Sequence, residues 1–184
     1  MVDPLPAPDA LPLGADAILR LLRPADATAM FELVDRNRPW LRQWLPWIDA
    51  AQSPVNSRSF IIAAAEQVRL REGFHCGIIE RGNLAGVIGL QRIDWANRKT
   101  AIGYWLGQDF TGRGLMTRAV EAVTTWCISE LDLYRIEIRC AVGNAPSRRI
   151  PERLGFRLEG ILRSSEWLYD HYVDHAVYSR LAEE

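Results

Sequence analysis

At 184 residues, with 48% hydrophobic and 24% charged side chains, the chain is long enough to bury one sizeable core and too short for two comfortable domains. A formal net charge of -1, a pI near 6.3 and the lack of any block of five like charges argue against a broad nucleic-acid or anionic-membrane footprint, so any anion is expected to be held locally. No apolar run approaches the roughly 18 to 20 residues that span a bilayer. Cys76, Cys127 and Cys140 are odd in number and widely spaced, with no CxxC, which suggests buried reduced thiols rather than a disulfide framework or a zinc site. The expected location is the cytoplasm.

Residues 1–13 are acidic rather than basic and hold four prolines, the wrong composition for a signal peptide; they read as an extended arm before a single domain over 14–184. "AILRLLR" (17–23) looks like a first strand, and 24–47 like one or two helices, with Pro24 placed for a helix start. Ser53 and Pro54 make an N-cap and N1 pair for a helix through about Arg71, closed by Gly73. The period then changes. "FHCGIIE", "LAGVIGLQRID" and "TAIGYWLG" are apolar, β-branched or aromatic segments separated by turn residues, which predicts a three-stranded meander. Met116, Ala119, Val120, Val123, Cys127 and Leu131 recur at helical spacing, and "YRIEIRCAV" (134–142) alternates as a strand. A short helix from about Ser147 to Leu154 and two closing strands, "FRLEGILR" and "HYVDHAVYSRL", complete a mixed α+β fold: one βαβ crossover in a mostly antiparallel sheet flanked by helices.

The turn between the third meander strand and the long helix, "QDFTGRG", is the first chemical signal. A helix start leaves backbone N–H groups without partners and carries about half a positive charge, so a glycine-lined turn feeding a helix suits phosphate. Gly112 and Gly114 let the backbone approach a ligand, Arg113 adds charge and Thr117 a hydroxyl. The P-loop pattern is absent, and G-x-G-x-x-G fails at Thr117. A glycine pair before a helix is also common for steric reasons alone.

Downstream, "NAPSRRIPERLGF" (144–156) carries Asn144, Ser147, Ile150, Glu152, Arg153, Gly155 and Phe156, followed by Glu159, Gly160 and Arg163. With the glycine turn, these ordered residues resemble the GNAT superfamily of N-acetyltransferases and, within it, the RimJ/RimL-type protein acetyltransferases, over nearly the whole chain. "WLRQWLPW" (40–47) resembles that subgroup's helical approach to the substrate side. Where the superfamily pattern has Gln or Arg and then a small residue, this chain has Thr111 and Met116, which implies a Met116 side chain turned into the core.

The resemblance implies acetyl-CoA as cosubstrate and no metal. The cofactor-binding residues it implies are Trp105, Leu106 and Gly107 for the pantetheine arm, which would pair like an added strand, and Thr111, Gly112, Arg113, Gly114, Leu115, Met116 and Thr117 around the pyrophosphate, with Asn144 and Ser147 beside the arm. The tyrosine that many relatives use as proton donor is replaced by Pro151; the RimL-type alternative maps to Ser147, which would help protonate the thiolate, and Glu166, which would accept the amine proton. Ser147 could instead only cap its helix, Glu166 could be a plain surface carboxylate, and Glu137 is a rival base. Trp40, Trp44 and Trp47 either line the acceptor groove or fill core and rim. His171 and His175 have ligand-like spacing but sit in a strand, so no metal site is expected. An α-amine of pKa about 8 is roughly one-tenth neutral at pH 7, against about one lysine in 2,500, so a single modest base serves a protein N-terminus. Glu166, Asp170 and Asp174 could attract a cationic N-terminal segment. The implied acceptor is therefore a protein α-amine, such as that of a ribosomal protein; a small-amine acetyltransferase and a non-catalytic acyl-CoA sensor are the rivals. A homodimer is compatible with the apolar content, although no specific seam shows.

Overall fold

The alternating strand segments and the apolar helix faces assemble into helices packed on both sides of one sheet, in a computed structural model that describes residues 3–184. The strands are β1 (Leu11–Pro12), β2 (Ala17–Leu21), β3 (His75–Glu80), β4 (Asn83–Leu90), β5 (Lys99–Leu106), β6 (Arg135–Ala141), β7 (Arg157–Leu168) and β8 (His171–Leu181); the helices are α1 (Ala27–Arg36), α2 (Arg38–Leu41), α3 (Pro54–Arg69), α4 (Leu115–Ser129) and α5 (Ala145–Arg153). The sheet order is β1-β2-β3-β4-β5-β6-β8-β7. Every neighbouring pair is antiparallel except β5 and β6, which the α4 crossover makes parallel.

Period-2 alternation divides the apolar side chains between two faces. On one face, Leu19, Cys76, Ile78, Ile88, Ile102, Ile136, Ile138 and Cys140 pack under Leu115, Met116, Ala119, Val120, Val123 and Cys127 of α4. On the other, Leu22, Leu84 and Val87 meet Met30 and Leu33 of α1 and Ile61 of α3. Full burial of each such aliphatic side chain contributes about 1.5–3 kcal/mol relative to exposure, which makes α4 the anchor of its face. Met116, at 4% exposure, is indeed turned into the core.

Two details hold the middle of the sheet in register. Arg81 and Gly82 form the two-residue β3–β4 turn with φ of 49° and 80°, the left-handed pair that matches strand twist. Gly86 stands opposite Ile78 and Leu84 opposite Ile79, so Ala85 is an extra residue, a β-bulge. Its carbonyl accepts the Gly107 N–H at 2.9 Å and fixes the end of β5.

The arm runs from the C-terminal end of α3 to α4: Leu5 and Leu13 are buried, Leu5 N donates to Val68 O at 3.0 Å, and the Trp126 indole N–H donates to Pro6 O at 3.3 Å. Its Leu11–Pro12 segment pairs with β2, a strand too short to register as a period. Several boundaries differ from the sequence reading, among them β4, which ends at Leu90 rather than running on to Asp94. α5 starts at Ala145 rather than Ser147, because Asn144 caps it; β7 runs on to Leu168 rather than stopping at Arg163; and α3 ends at Arg69, two residues early, because Arg71 already turns left-handed at φ 58°. All three cysteines are free and buried. Among the described residues no helix is long and apolar enough to cross a membrane.

Candidate active site

The site begins where two parallel strands part. β5 pairs with β6 from Lys99–Arg135 to Ile102–Ile138 and no further, although β5 continues to Leu106 and β6 to Ala141. Over the same stretch β5 stays paired to β4, and β6 to β8. The strands therefore open as a V. Backbone groups alternate sides along a strand: Ala101 O accepts from Gln91 N, and Gly107 N donates to Ala85 O, so the odd-numbered residues face β4. Tyr104 and Leu106 consequently present their N–H and C=O to the open side, where β6 supplies no partner. Of the three residues expected to bind the arm, Leu106 offers its backbone to the V, while Trp105 and Gly107 turn theirs towards β4.

At the wide end of the V the chain enters the glycine turn. Gly112 (φ 76°) and Gly114 (φ 68°) are both left-handed, which costs an L residue about 1–2 kcal/mol. Gly114 is the N-cap of α4 and no side chain caps the helix, so the first amides of α4 lack intrahelical partners and face a cleft of about 300 Å³. Gly107 answers a different need: a Cβ there would lie 2.7 Å from Leu33 Cδ1, so glycine lets α1 close onto the turn. Buried Asn37 completes the link, donating to Leu33 O at 2.8 Å and accepting from Gln108 N at 2.9 Å. Thr111, Gly112, Gly114, Leu115, Met116 and Thr117 all line the cleft. Arg113 does not: its guanidinium pairs with Glu80 at 3.1 Å and lies over the Phe110 ring, so the positive charge expected of it is spent outside the cleft. Arg149 and Arg153 of α5 line the cleft instead, with Arg153 donating to Thr117 Oγ1 at 3.3 Å. The sequence marks Arg153 only as a motif residue and does not single out Arg149, because "SRRIPER" gives no sign of which arginine faces inward.

At the narrow end stands Ser147. Asn144, not Ser147, caps α5, its Oδ1 accepting the Ser147 N–H at 3.2 Å. The Ser147 hydroxyl is thereby left for other work: its Oγ lies 3.2 Å from Cys140 Sγ and 3.3 Å from the Tyr104 hydroxyl, and the Tyr104 hydroxyl donates to Ser147 O at 3.1 Å. Burial pushes the Tyr104 phenol well above its ordinary range and raises the Cys140 thiol, so both remain protonated at neutral pH.

The opposite wall is apolar and aromatic: Trp40, Leu41, Trp44, Leu45 and Trp105. Trp47 sits behind it, its ring 6.0 Å from that of Trp105. The β7–β8 turn reaches this wall, where the Tyr169 hydroxyl donates to Leu45 O at 2.6 Å and Arg42 lies 3.7 Å over the Tyr169 ring. Glu166 belongs to β7, half-buried, with Oε2 3.4 Å from His175 Nε2; its side chain does not line the cleft. His175 lies opposite Ala141 at the end of β6, so this pair sits beside the end of that strand, on the side away from β5. A widened bulge between Leu162 and Glu166 sets that position, closed by Asp174 Oδ1 accepting from Ser164 N at 2.8 Å. Asp174 and Asp170 are thus engaged, the latter with His171 at 2.6 Å. Glu137 lies on the far face of β6. Burial pushes its carboxyl up, but Arg139 and Arg135 outweigh that and hold it below the usual range. Among the described residues no three His, Cys, Asp or Glu side chains cluster as a metal site.

A V-shaped parting of parallel strands beside an uncapped helix start makes a seat for an extended, anionic ligand, and known proteins of one family share this chain's pattern. The acetyltransferase (GNAT) domain family matches residues 16–157, and the chain belongs to the GNAT family of N-acetyltransferases. It stands among the RimJ/RimL-type members. YdaF of Bacillus subtilis (strain 168), provisionally named a ribosomal N-acetyltransferase, is 37% identical over 167 residues, 90% of this chain and 91% of its own. The ribosomal-protein-serine acetyltransferase of Escherichia coli (strain K12) is 32% identical over 155 residues, 83% and 85% of the two chains. The solved structure of RimL, a ribosomal L7/L12 α-N-protein acetyltransferase in complex with coenzyme A, superposes with a TM-score of 0.90 at 28% identity, covering 94% of this chain and 98% of that one.

Proposed function

We propose that the protein transfers acetyl from acetyl-CoA to the N-terminal α-amine of a protein, of the ribosomal-protein class its relatives are named for. One observation carries this reading: the open half of β5, the uncapped start of α4 and the Ser147 hydroxyl line one continuous cleft. The pyrophosphate takes the amides from Gly112 to Thr117, with Arg149 and Arg153 supplying charge. The pantetheine arm pairs with the free backbone of Tyr104 and Leu106 as an added strand, and its thioester reaches Ser147.

The acceptor nitrogen comes from the tryptophan-lined side. It attacks the thioester carbonyl, a C–N bond forms, and the C–S bond breaks with its electron pair on sulfur. The proton lost by nitrogen is the one the sulfur finally gains: Glu166 takes it up through water, Ser147 Oγ–H hydrogen-bonds the sulfur as charge builds and passes its proton on, and water returns a proton to the serine oxygen. Glu137, locked between two arginines and outside the cleft lining, has no part in this scheme.

Free-thiol release from acetyl-CoA, measured against peptides with free α-amines, lysine peptides with blocked N-termini, and polyamines, tests the proposal. Turnover confined to the free α-amine is expected. Turnover with polyamines alone would establish the small-amine alternative, and tight acetyl-CoA binding without turnover on any amine would make the protein a sensor.

A further inference from the structure

Beyond Ile102 and Ile138 no backbone ladder joins β5 to β6, yet the V has a definite width at Ser147. One side chain crosses it. Tyr104 stands two residues past the last β5–β6 pair, and its hydroxyl meets Ser147 O at 3.1 Å, Ser147 Oγ at 3.3 Å and Cys140 Sγ at 3.9 Å. A phenol has one proton and two lone pairs. The shortest use of the proton is the Ser147 carbonyl, which leaves the phenol oxygen to accept from the serine hydroxyl. Cys140, 3.2 Å from Ser147 Oγ, closes the set on the β6 side.

We infer that Tyr104 is a positioning residue for Ser147: a crossbar between the parted strands that fixes the first turn of α5 and the serine hydroxyl relative to the thioester sulfur. The inference rests on the role proposed above for Ser147 and adds the group that sets its geometry. Three features of the structure support it. The ring reaches across from β5 to α5 and β6, the two elements the missing ladder leaves unconnected there. Tyr104 itself lines the cleft beside Ser147, so a shift of the crossbar is felt at the reacting atoms. Burial keeps the phenol protonated, so the donor to Ser147 O persists across the working pH range. Misplacement of a donor by about 1 Å can cost on the order of a hundredfold in rate while binding survives, so the crossbar should act on turnover and not on affinity.

The test is a double-mutant cycle with Tyr104→Phe, Ser147→Ala and the double variant, reading kcat and the acetyl-CoA KM of each folded protein. Tyr104→Phe keeps the ring and deletes the hydroxyl; 4-fluorophenylalanine at 104 fills the same space without donating and serves if the Phe variant does not fold. Expected are a kcat about tenfold down with KM within about twofold, and a double variant no slower than Ser147→Ala, because two residues acting as a unit do not add. Wild-type kcat in Tyr104→Phe, a raised KM alone, or losses that multiply in the double variant would overturn the crossbar. Wild-type kcat in Ser147→Ala would instead remove the role of the serine itself, which separates the two failures.

Discussion

The two halves of β5 differ in their hydrogen-bonded edges, and that difference decides what each is for. Lys99 to Ile102 are hydrogen-bonded on both edges, to β4 or the chain leading from it and to β6, with Ile102 at 2% exposure under α4. Gly103 to Leu106 are paired to β4 alone. Backbone polar groups left unmatched beside an apolar wall are costly unless water or a ligand satisfies them. The closed half is therefore the place where stability is concentrated, and the open half is a strand-shaped vacancy kept for a partner of extended shape. Substitutions in the two halves should consequently separate folding from binding.

The largest expected effect is in the closed half. Ile102→Ala removes a fully packed side chain and should destabilise the protein by about 2–5 kcal/mol in denaturant unfolding, while the folded fraction keeps its acetyl-CoA affinity within about twofold. Gly114→Glu reverses the pattern. It forces a side chain into a left-handed position and sets a negative charge at the start of α4, so acetyl-CoA affinity by calorimetry should fall about a hundredfold or more with a much smaller change in stability. Leu106→Pro is a finer probe. On an edge that lacks a partner the lost N–H costs the fold little, and the expected outcome is a folded protein with about tenfold weaker acetyl-CoA binding, whereas Ile102→Pro should fail to fold.

The smallest effect is at the root of the V. Arg135, opposite Lys99, donates to Glu159 at 2.6 Å, and with Ser179 it depresses the Glu159 carboxyl to about 2. A depressed folded-state pKa means the contribution is present above the ordinary carboxylate pKa near 4.5 and lost as pH falls through about 2. Both side chains are partly exposed, so Glu159→Gln should lower Tm by only about 1–3 °C at pH 7, with the gap to wild type narrowing as pH falls below about 4.5. A gap that stayed constant down to pH 3 would mean the ion pair contributes nothing there.

What could be read in advance follows the range of the interactions. Period and turn chemistry are local, so the strands, the long helix and the glycine turn were legible, as was the Asn144 to Phe156 motif that led to the family. Side-chain direction is not local. Arg113 faces away because Glu80, thirty-three positions earlier, draws it off. Trp40 and Trp44 reach the cleft only because α2 folds back over β5, and the position of Glu166 depends on a bulge that no period reveals. Tyr104 looked like one more aromatic in an apolar strand. Its distinction comes from the strand beside it veering away.

Amide hydrogen exchange resolves the difference between the two halves of β5 residue by residue. In the free protein the Leu106 amide should exchange orders of magnitude faster than that of Ile102, and saturating acetyl-CoA should slow Leu106 strongly while leaving Ile102 where it was. A Leu106 amide already as protected as Ile102, or one that acetyl-CoA does not protect, would contradict the claim that the open strand edge is the cofactor's seat.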